Sequence, residues 1–304
     1  MFTPSNINIK DKTLIVIVGP TAIGKTDLAI NLAKHFNTEI ISADSRQFFK
    51  EMEIGTAKPS ETELSQAKHH FINSHSVTEL FSTGDFEVQA LKIINEIFAT
   101  KDIAIMVGGS GLYINALCNG LDEMPEIDLE IRNKLNKQFE DEGLTVIQNQ
   151  LRDLDPEYFE KVDQNNPQRM IRGLEVFLST GKKLSSMLTS TKKERPFNIF
   201  KIGLNTDRAL LYDRINNRVD LMIKNGLVDE VKSLIAFRNY NALNTVGYSE
   251  IFDYLDHKID LENAVNSIKQ NTRRFAKRQL TWFRRDEEIK WFEPNEFQKI
   301  LNSL

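Results

Sequence analysis

Cysteine is almost absent: Cys118 is the single one in 304 residues. That excludes a disulfide framework and any cysteine-rich zinc site. No apolar run reaches about 18 residues, so no segment reads as a membrane span. The stretch Met1 to Lys12 has no apolar signal core, carries Asp11 and has no arginine. It therefore resembles neither a secretion signal nor a transit peptide, and a cytoplasmic location is expected. Internal repeats and low-complexity tracts are also missing. A large excess of one charge is missing too, the net charge being −4. Taken alone, that mild acidity points away from a nucleic-acid partner. What remains is 40% hydrophobic and 27% charged residues, an ordinary globular composition that excludes wholesale disorder. The length suits one large domain, or a core with a smaller companion.

The apolar pattern predicts an α/β fold. Thr13 to Gly19 is a short, continuous β-branched run that ends in Gly-Pro, the signature of a strand buried on both faces. A helical pattern follows from Lys25 to about Phe36. Glu39 to Asp44 reads as a second strand ending in a carboxylate, Asp85 to Thr100 as a helix, and Asp102 to Gly109 as a third buried strand. Strand, helix, strand, helix, strand implies a doubly wound parallel sheet. After about Gly120 the β-branched runs stop and helical periodicity continues. Residues 122–196 read as a helical insertion domain, with Pro156 and Pro167 at boundaries. Phe197 to Leu204 returns to the sheet, and Ile289 to Phe292 reads as a last strand. The expected division is thus 1–121 plus 197–304 as a P-loop NTPase-like parallel-sheet core, and 122–196 as the insertion.

Gly19-Pro20-Thr21-Ala22-Ile23-Gly24-Lys25-Thr26 has the P-loop pattern. Glycines let the backbone curl so that several N–H groups aim at phosphate oxygens. The helix that starts there adds the positive end of its dipole. Lys25 supplies a point charge and Thr26 a hydroxyl for Mg²⁺. The pattern reads as a site for a di- or triphosphate without saying which. An ATPase would close its neighbouring strand with a carboxylate. Here Ile103 to Val107 runs into Gly108-Gly109-Ser110, and the carboxylate is Asp44, on the earlier strand. That favours a transferase using a phosphorylated substrate. Asp44 is placed to act as a base or to orient a nucleophile, or it is simply a helix cap.

Several segments together resemble the tRNA dimethylallyltransferase family. They are Gly19 to Thr26, Ser42 to Gln47, Gly55 to Pro59, Gly84 to Phe86, Val107 to Tyr113, Asn166 to Arg172, Val246 to Tyr248 and Thr272 to Phe283. They occur in register from about residue 13 to 292. The resemblance implies transfer of a dimethylallyl group from dimethylallyl diphosphate to N6 of the adenosine just 3′ of the tRNA anticodon. It implies that the P-loop holds the donor's diphosphate, with Lys25 and Mg²⁺ stabilising the leaving group and Asp44 orienting or deprotonating the amine. Ser110 stands where threonine is usual and keeps the hydroxyl. Arg214 and Arg218 resemble arginines that reach the diphosphate, although a solvated helix face would look the same. The implied tRNA contacts are Asp44, Ser45, Arg46, Gln47, Ser110, Arg132, Gln168, Arg169, Met170, Ile171 and Arg172. They continue through Asn244, Thr245, Val246, Gly247, Tyr248 and Ser249, the last standing where a basic residue is common. No zinc-finger extension follows, which the resemblance associates with the bacterial form.

Charge distribution revises the first impression. Residues 126–163 hold eleven acids against five basic residues, while 269–285 hold seven Lys/Arg and no acid. That basic run is either a solvated helix face or an RNA contact through Arg273, Arg274, Lys277 and Arg278, so an anticodon stem-loop partner is compatible with a net acidic chain. The target adenine is expected to leave the loop stack to be modified. His69, His70 and His75 read as structural. A nucleotide or small-molecule kinase would need an arginine-rich lid, against which the acidic insertion argues. A cytokinin-type adenylate prenyltransferase would not need Gln168 to Arg172. A non-catalytic RNA-binding protein would not need Lys25, Thr26 and Asp44 intact. No symmetric apolar interface is legible, so a monomer is expected.

Overall fold

The computed structural model describes residues 12–189 and 191–304. The expectation for the N-terminal stretch lies, apart from Lys12, outside them. Among the described residues no helix is long and apolar enough to cross a membrane.

The chain divides into two compact units. One holds the residues up to Cys118 and from Arg195 to Leu304; the other is Asn119–Glu194. The expected division lay at 122 and 196. The first unit contains β1 (Thr13–Val18), α1 (Lys25–Phe36), β2 (Ile40–Ser42), α2 (Glu61–Leu64), β3 (His69–His70), α3 (Thr83–Phe98), β4 (Ile103–Val107) and α4, which starts at Gly111. The second contains α5 (Leu129–Glu142), α6 (Leu144–Leu154), α7 (Pro156–Lys161), α8 (Pro167–Thr180) and α9 (Leu184–Met187). The first unit resumes with β5 (Asn198–Leu204), α10 (Arg208–Lys224), α11 (Leu227–Ser233), α12 (Tyr248–Leu255), α13 (Leu261–Phe283), β6 (Lys290–Phe292) and α14 (Phe297–Leu301).

The six strands form one parallel sheet in the order β3-β2-β4-β1-β5-β6. β1 is central and wholly buried, with Thr13 in register with Ile103 on one side and Asn198 on the other. Strand alternation then sorts its side chains. Ile15 and Ile17 pack with Leu28 and Leu32 of α1 and with Leu211 and Ile215 of α10. Leu14, Val16 and Val18 pack on the opposite face with Phe86, Ala90 and Ile94 of α3. Helices on both faces explain why the strand reads as unbroken hydrophobicity rather than alternation. Ser82 and Asp85 form a reciprocal capping box at the start of α3, so the helix begins at Thr83, two residues before the expected start at Asp85, and Phe86 is buried as expected. Asp85 in the Gly84-Asp-Phe86 segment is thus a cap.

The two-residue strand β3 has no counterpart in the sequence reading, being too short for a periodic signal. β2 ends at Ser42, so Asp44 lies on the loop beyond it, not in the strand. The helical unit has its own core of Leu135, Ile147, Leu151, Phe159, Met170, Ile171 and Leu174. Pro156 and Pro167 occupy first-turn positions of α7 and α8, where the missing N–H costs nothing. Cys118 is buried, and burial pushes its thiol up to about 12.

Candidate active site

β1, β4 and β2 are adjacent in the sheet, and the loops after them meet at its carboxyl edge. The first loop is the P-loop. Gly19 has a φ of +145°, and a Cβ there would stand 2.7 Å from the Leu204 carbonyl oxygen of β5. Gly24 caps α1 at a φ of 102°. Only glycine takes both positions without strain. Lys25 Nζ donates to the Pro20 carbonyl at 2.7 Å, folding back over the loop it will serve. Burial, reinforced by Arg218 and opposed by Asp44, lowers its pKa to about 7. Thr26 lines the same cavity, of about 250 Å³.

α10 brings two arginines to this loop. Arg214 Nη1 donates to the Ile23 carbonyl at 3.3 Å, and Arg218 Nη1 to Thr21 Oγ1 at 3.1 Å. Their one-turn spacing puts both on the P-loop side of the helix. Arg218 is the more deeply set, and burial lowers its pKa against the pull of Asp44.

Asp44 is fastened by its own turn. Its Oδ1 accepts from the backbone N–H of Arg46 at 2.9 Å and of Gln47 at 3.3 Å. Among the described residues Oδ2 accepts no hydrogen bond. Ser110, at the end of the β4 loop, accepts from the Ser45 N–H through Oγ at 2.9 Å. Gly108 permits this approach, because a Cβ there would lie 2.2 Å from the Ala43 carbonyl oxygen. Asp44 also lines a second cavity, of about 220 Å³, with an apolar wall of Ile215, Val219, Ile268 and Phe275. Thr21, Asp44 and Arg218 border both spaces. A carboxylate therefore stands between the polar P-loop cavity and a more apolar chamber.

A family model described as IPP transferase matches residues 47–286. The chain belongs to the IPP transferase family. It is 57% identical to a tRNA dimethylallyltransferase of Christiangramia forsetii, over 95% of each chain. It is 51% identical to one of Flavobacterium johnsoniae, over 93% of each. A solved full-length tRNA isopentenylpyrophosphate transferase of Bacillus halodurans superposes with a TM-score of 0.71 at 38% identity, covering 96% of this chain and 94% of that one. A eukaryotic dimethylallyltransferase solved while acting on tRNA gives a TM-score of 0.77 at 29% identity, covering 95% of this chain and 75% of that one.

Within this IPP transferase fold, several residues implied as tRNA contacts sit elsewhere. Met170 and Ile171 are buried in the core of the helical unit, and Tyr248 is fully buried. These three are corrected from RNA contacts to packing residues, because an apolar helix face at this periodicity is claimed by the nearest core. Tyr248 donates its hydroxyl to Glu230 at 2.6 Å, and Glu230 also receives the N–H groups of Glu53, Ile54 and Gly55. Gly247 is likewise buried, its N–H held by Glu250 at 2.8 Å. The Gln47 amide is spent on the Thr56 and Ala57 carbonyls, both at 3.2 Å, so it braces the loop after β2 rather than reading a base.

Arg132 and Arg172 share one buried carboxylate. Arg132 donates twice to Glu175, at 2.6 and 2.7 Å, and Arg172 once, at 2.7 Å. Both guanidinium groups keep an outward edge, and Gln168 and Arg169 are exposed on the first turn of α8. Arg46 Nη2 donates to the Asn244 carbonyl at 3.4 Å, and Arg46 lines the second cavity together with Thr245 and Val246; the Ser249 hydroxyl donates back to the Thr245 carbonyl at 3.2 Å. On α13, Arg274, Lys277 and Arg278 are exposed, whereas Arg273 is drawn to Asn216 at 2.6 Å.

Gln279 is the residue that sequence reasoning missed. It is buried, accepts from the Thr21 N–H at 2.9 Å and donates to the Gly109 carbonyl at 3.0 Å. It clips the P-loop, the β4 loop and α13 together. The available signal was an uncharged amide in the middle of a basic helix. His69 also lines the P-loop cavity, while His70 Nε2 pairs with Glu39 at 2.6 Å.

Proposed function

We propose that the protein transfers a dimethylallyl group from dimethylallyl diphosphate to N6 of adenosine 37 in tRNA, releasing diphosphate. The observation that carries this reading is Asp44 on the wall between the phosphate cradle and the apolar chamber, one oxygen fastened and the other open. A kinase does not need a chamber of that character beside its phosphates.

In this reading the P-loop amides, Lys25, Arg214 and Arg218 bind the diphosphate. Thr26 is the residue that would hold Mg²⁺, and its fit is good. Its hydroxyl takes no hydrogen bond among the described residues, and Mg²⁺ commonly uses one or two protein oxygens plus ligand phosphates. When bound, the ion would neutralise charge on the diphosphate. The N6 lone pair is delocalised into the adenine ring and is a poor nucleophile. Asp44 Oδ2 accepts the N6 hydrogen bond, orients the amine toward the allylic carbon and receives the proton as the C–N bond forms and the C–O bond breaks. Ser110, with its oxygen engaged by Ser45, has a hydroxyl proton left for substrate. Lys25 and the arginines stabilise charge that grows on the leaving diphosphate. In the first unit, Ser45, Arg46, Asn244, Thr245, Val246 and the basic face of α13 are the groups offered to RNA; the helical unit by itself offers Arg132, Gln168, Arg169 and Arg172.

The deciding experiment is mass spectrometry of tRNA nucleosides after incubation with dimethylallyl diphosphate. The expected result is an adenosine heavier by one dimethylallyl group, at the position 3′ of the anticodon. Modification of AMP but not of a stem-loop would favour an adenylate prenyltransferase. Phosphoryl transfer from ATP without prenylation would favour a kinase.

A further inference from the structure

A third cavity, of about 370 Å³, lies on the far side of α13, between that helix and the start of α10. Its cationic lining is Arg208, Lys277 and Arg284, and no Asp or Glu lines it. All three cations are exposed. Among the described residues none has a carboxylate partner; Arg208 only lies over the Tyr212 ring, 5.1 Å from its centroid. Other cations of the same unit are paired, as in Lys201 with Asp286 and Glu288, or Arg238 with Asp256. Three unpaired like charges around one concavity repel each other, in a chain whose net charge is −4, and an anion relieves that repulsion.

The position adds a second argument. The cavity includes Asn205, directly after β5, and β5 is the neighbour of β1 in the sheet. It therefore opens at the same carboxyl edge as the P-loop, one strand further out, where α/β ligands are received. Lys277, Thr281 and Arg284 repeat at helical spacing along one face of α13, while Thr272, Phe275 and Gln279 face the reaction site. The same helix thus serves two spaces. Asn205 adds an uncharged amide at the rim, and Leu211 and Leu280 make an apolar floor.

We propose that this cavity is a second RNA-backbone site, in which Arg208, Lys277 and Arg284 hold phosphodiester groups of the tRNA away from the modified adenosine. The inference rests on the RNA substrate proposed above. It assigns a role to Arg208, which no sequence motif marked, and to Arg284, which stood out only as part of the basic run 269–285. Such contacts are sequence-independent, fix the orientation of the RNA and are weakened by salt.

The test measures binding of an anticodon stem-loop and of a whole tRNA across a salt series, for the unaltered chain and for Arg208→Gln/Arg284→Gln. The expected result is weaker binding of the whole tRNA in the double variant, about tenfold at moderate salt. The slope of log K against log salt should become shallower by about 1.5. Affinity for inorganic diphosphate should stay the same. A control variant, Lys92→Gln/Lys232→Gln, removes two exposed lysines that line none of these cavities. An equal loss in that control would reduce the effect to overall charge and overturn the site. So would an unchanged slope in the arginine variant. Binding of AMP or inorganic phosphate that the arginine variant loses, with RNA binding intact, would make the cavity a free-anion site instead. If the unaltered chain binds neither RNA, the tRNA reading itself fails and this site fails with it.

Discussion

Asp44 shows how little a residue type says until its hydrogen bonds are known. With Oδ1 held by two backbone N–H groups, it closes a turn rather than a helix, and Oδ2 accepts no hydrogen bond among the described residues, so capping occupies only half of the carboxylate. Asp44→Ala should lower kcat by about 10²–10⁴-fold, with the Kd for the stem-loop nearly unchanged; an unaltered single-turnover rate would remove it from the chemistry. Lys25 carries a pH prediction. Its pKa of about 7 means that the free protein loses the cation as pH rises through 7. Diphosphate binds the protonated form better. Affinity should therefore be fullest below pH 7 and fall above it, by at most about tenfold per pH unit. Calorimetry at several pH values checks this, and Lys25→Arg, which shares the ligand's own ionisation, should lose the added slope. In the helical unit, burial alone would raise the Glu175 carboxyl, but its hydrogen bonds to Arg132 and Arg172 hold it below the usual value. That contribution is present above the ordinary carboxylate pKa near 4.5 and is lost as pH falls through the lowered one. Glu175→Ala should cost about 2 kcal/mol, seen as an earlier thermal or acid transition.

At the scale of elements, α13 is the part whose role changed most. Its basic composition reads as either a solvated face or an RNA contact. The structure gives it a buried edge at Ala276, Gln279 and Phe283 and cavities on two sides. Gln279 ties it to the P-loop. Gln279→Ala should loosen that loop and weaken inorganic diphosphate binding several-fold without unfolding the helix, which circular dichroism and calorimetry would separate. α10 behaves similarly: Leu211, Ile215 and Val219 face the cores while Arg214 and Arg218 reach the cradle. Both arginines turn to the P-loop and not to solvent because of which neighbour the helix packs on, information that periodicity does not contain.

At the scale of the whole molecule, the parallel sheet aligns three strand ends so that P-loop, Ser110 and Asp44 meet. Ligand at this edge should stabilise the fold by mass action. Inorganic diphosphate with Mg²⁺ at 100 times its Kd should add about 2.7 kcal/mol, raising the melting temperature of the native chain. Lys25→Ala should abolish most of that rise. The acidic helical unit and the basic α13 explain why a mildly acidic total is compatible with RNA, since affinity depends on local phosphate contacts and not on the sum.

The sequence by itself determined the sheet strands β1 and β4, the P-loop, the helical stretch between the two halves of the core, and the carboxylate after β2. Each of these rests on local physics: burial on both faces, backbone curl at glycine, periodicity, and capping at proline. Their boundaries shifted by a few residues because helix and strand ends are set by caps and neighbours. Tertiary structure alone decided that Met170, Ile171 and Tyr248 are packed inside, that Gln47 braces a loop, and that Arg132 and Arg172 share Glu175. It also brought Gln279 to the P-loop from 258 residues away in the chain and gathered Arg208 and Arg284 around one cavity. Such relations depend on which surfaces meet when the chain folds, and a side chain's partner across the fold leaves no periodic trace in its own segment.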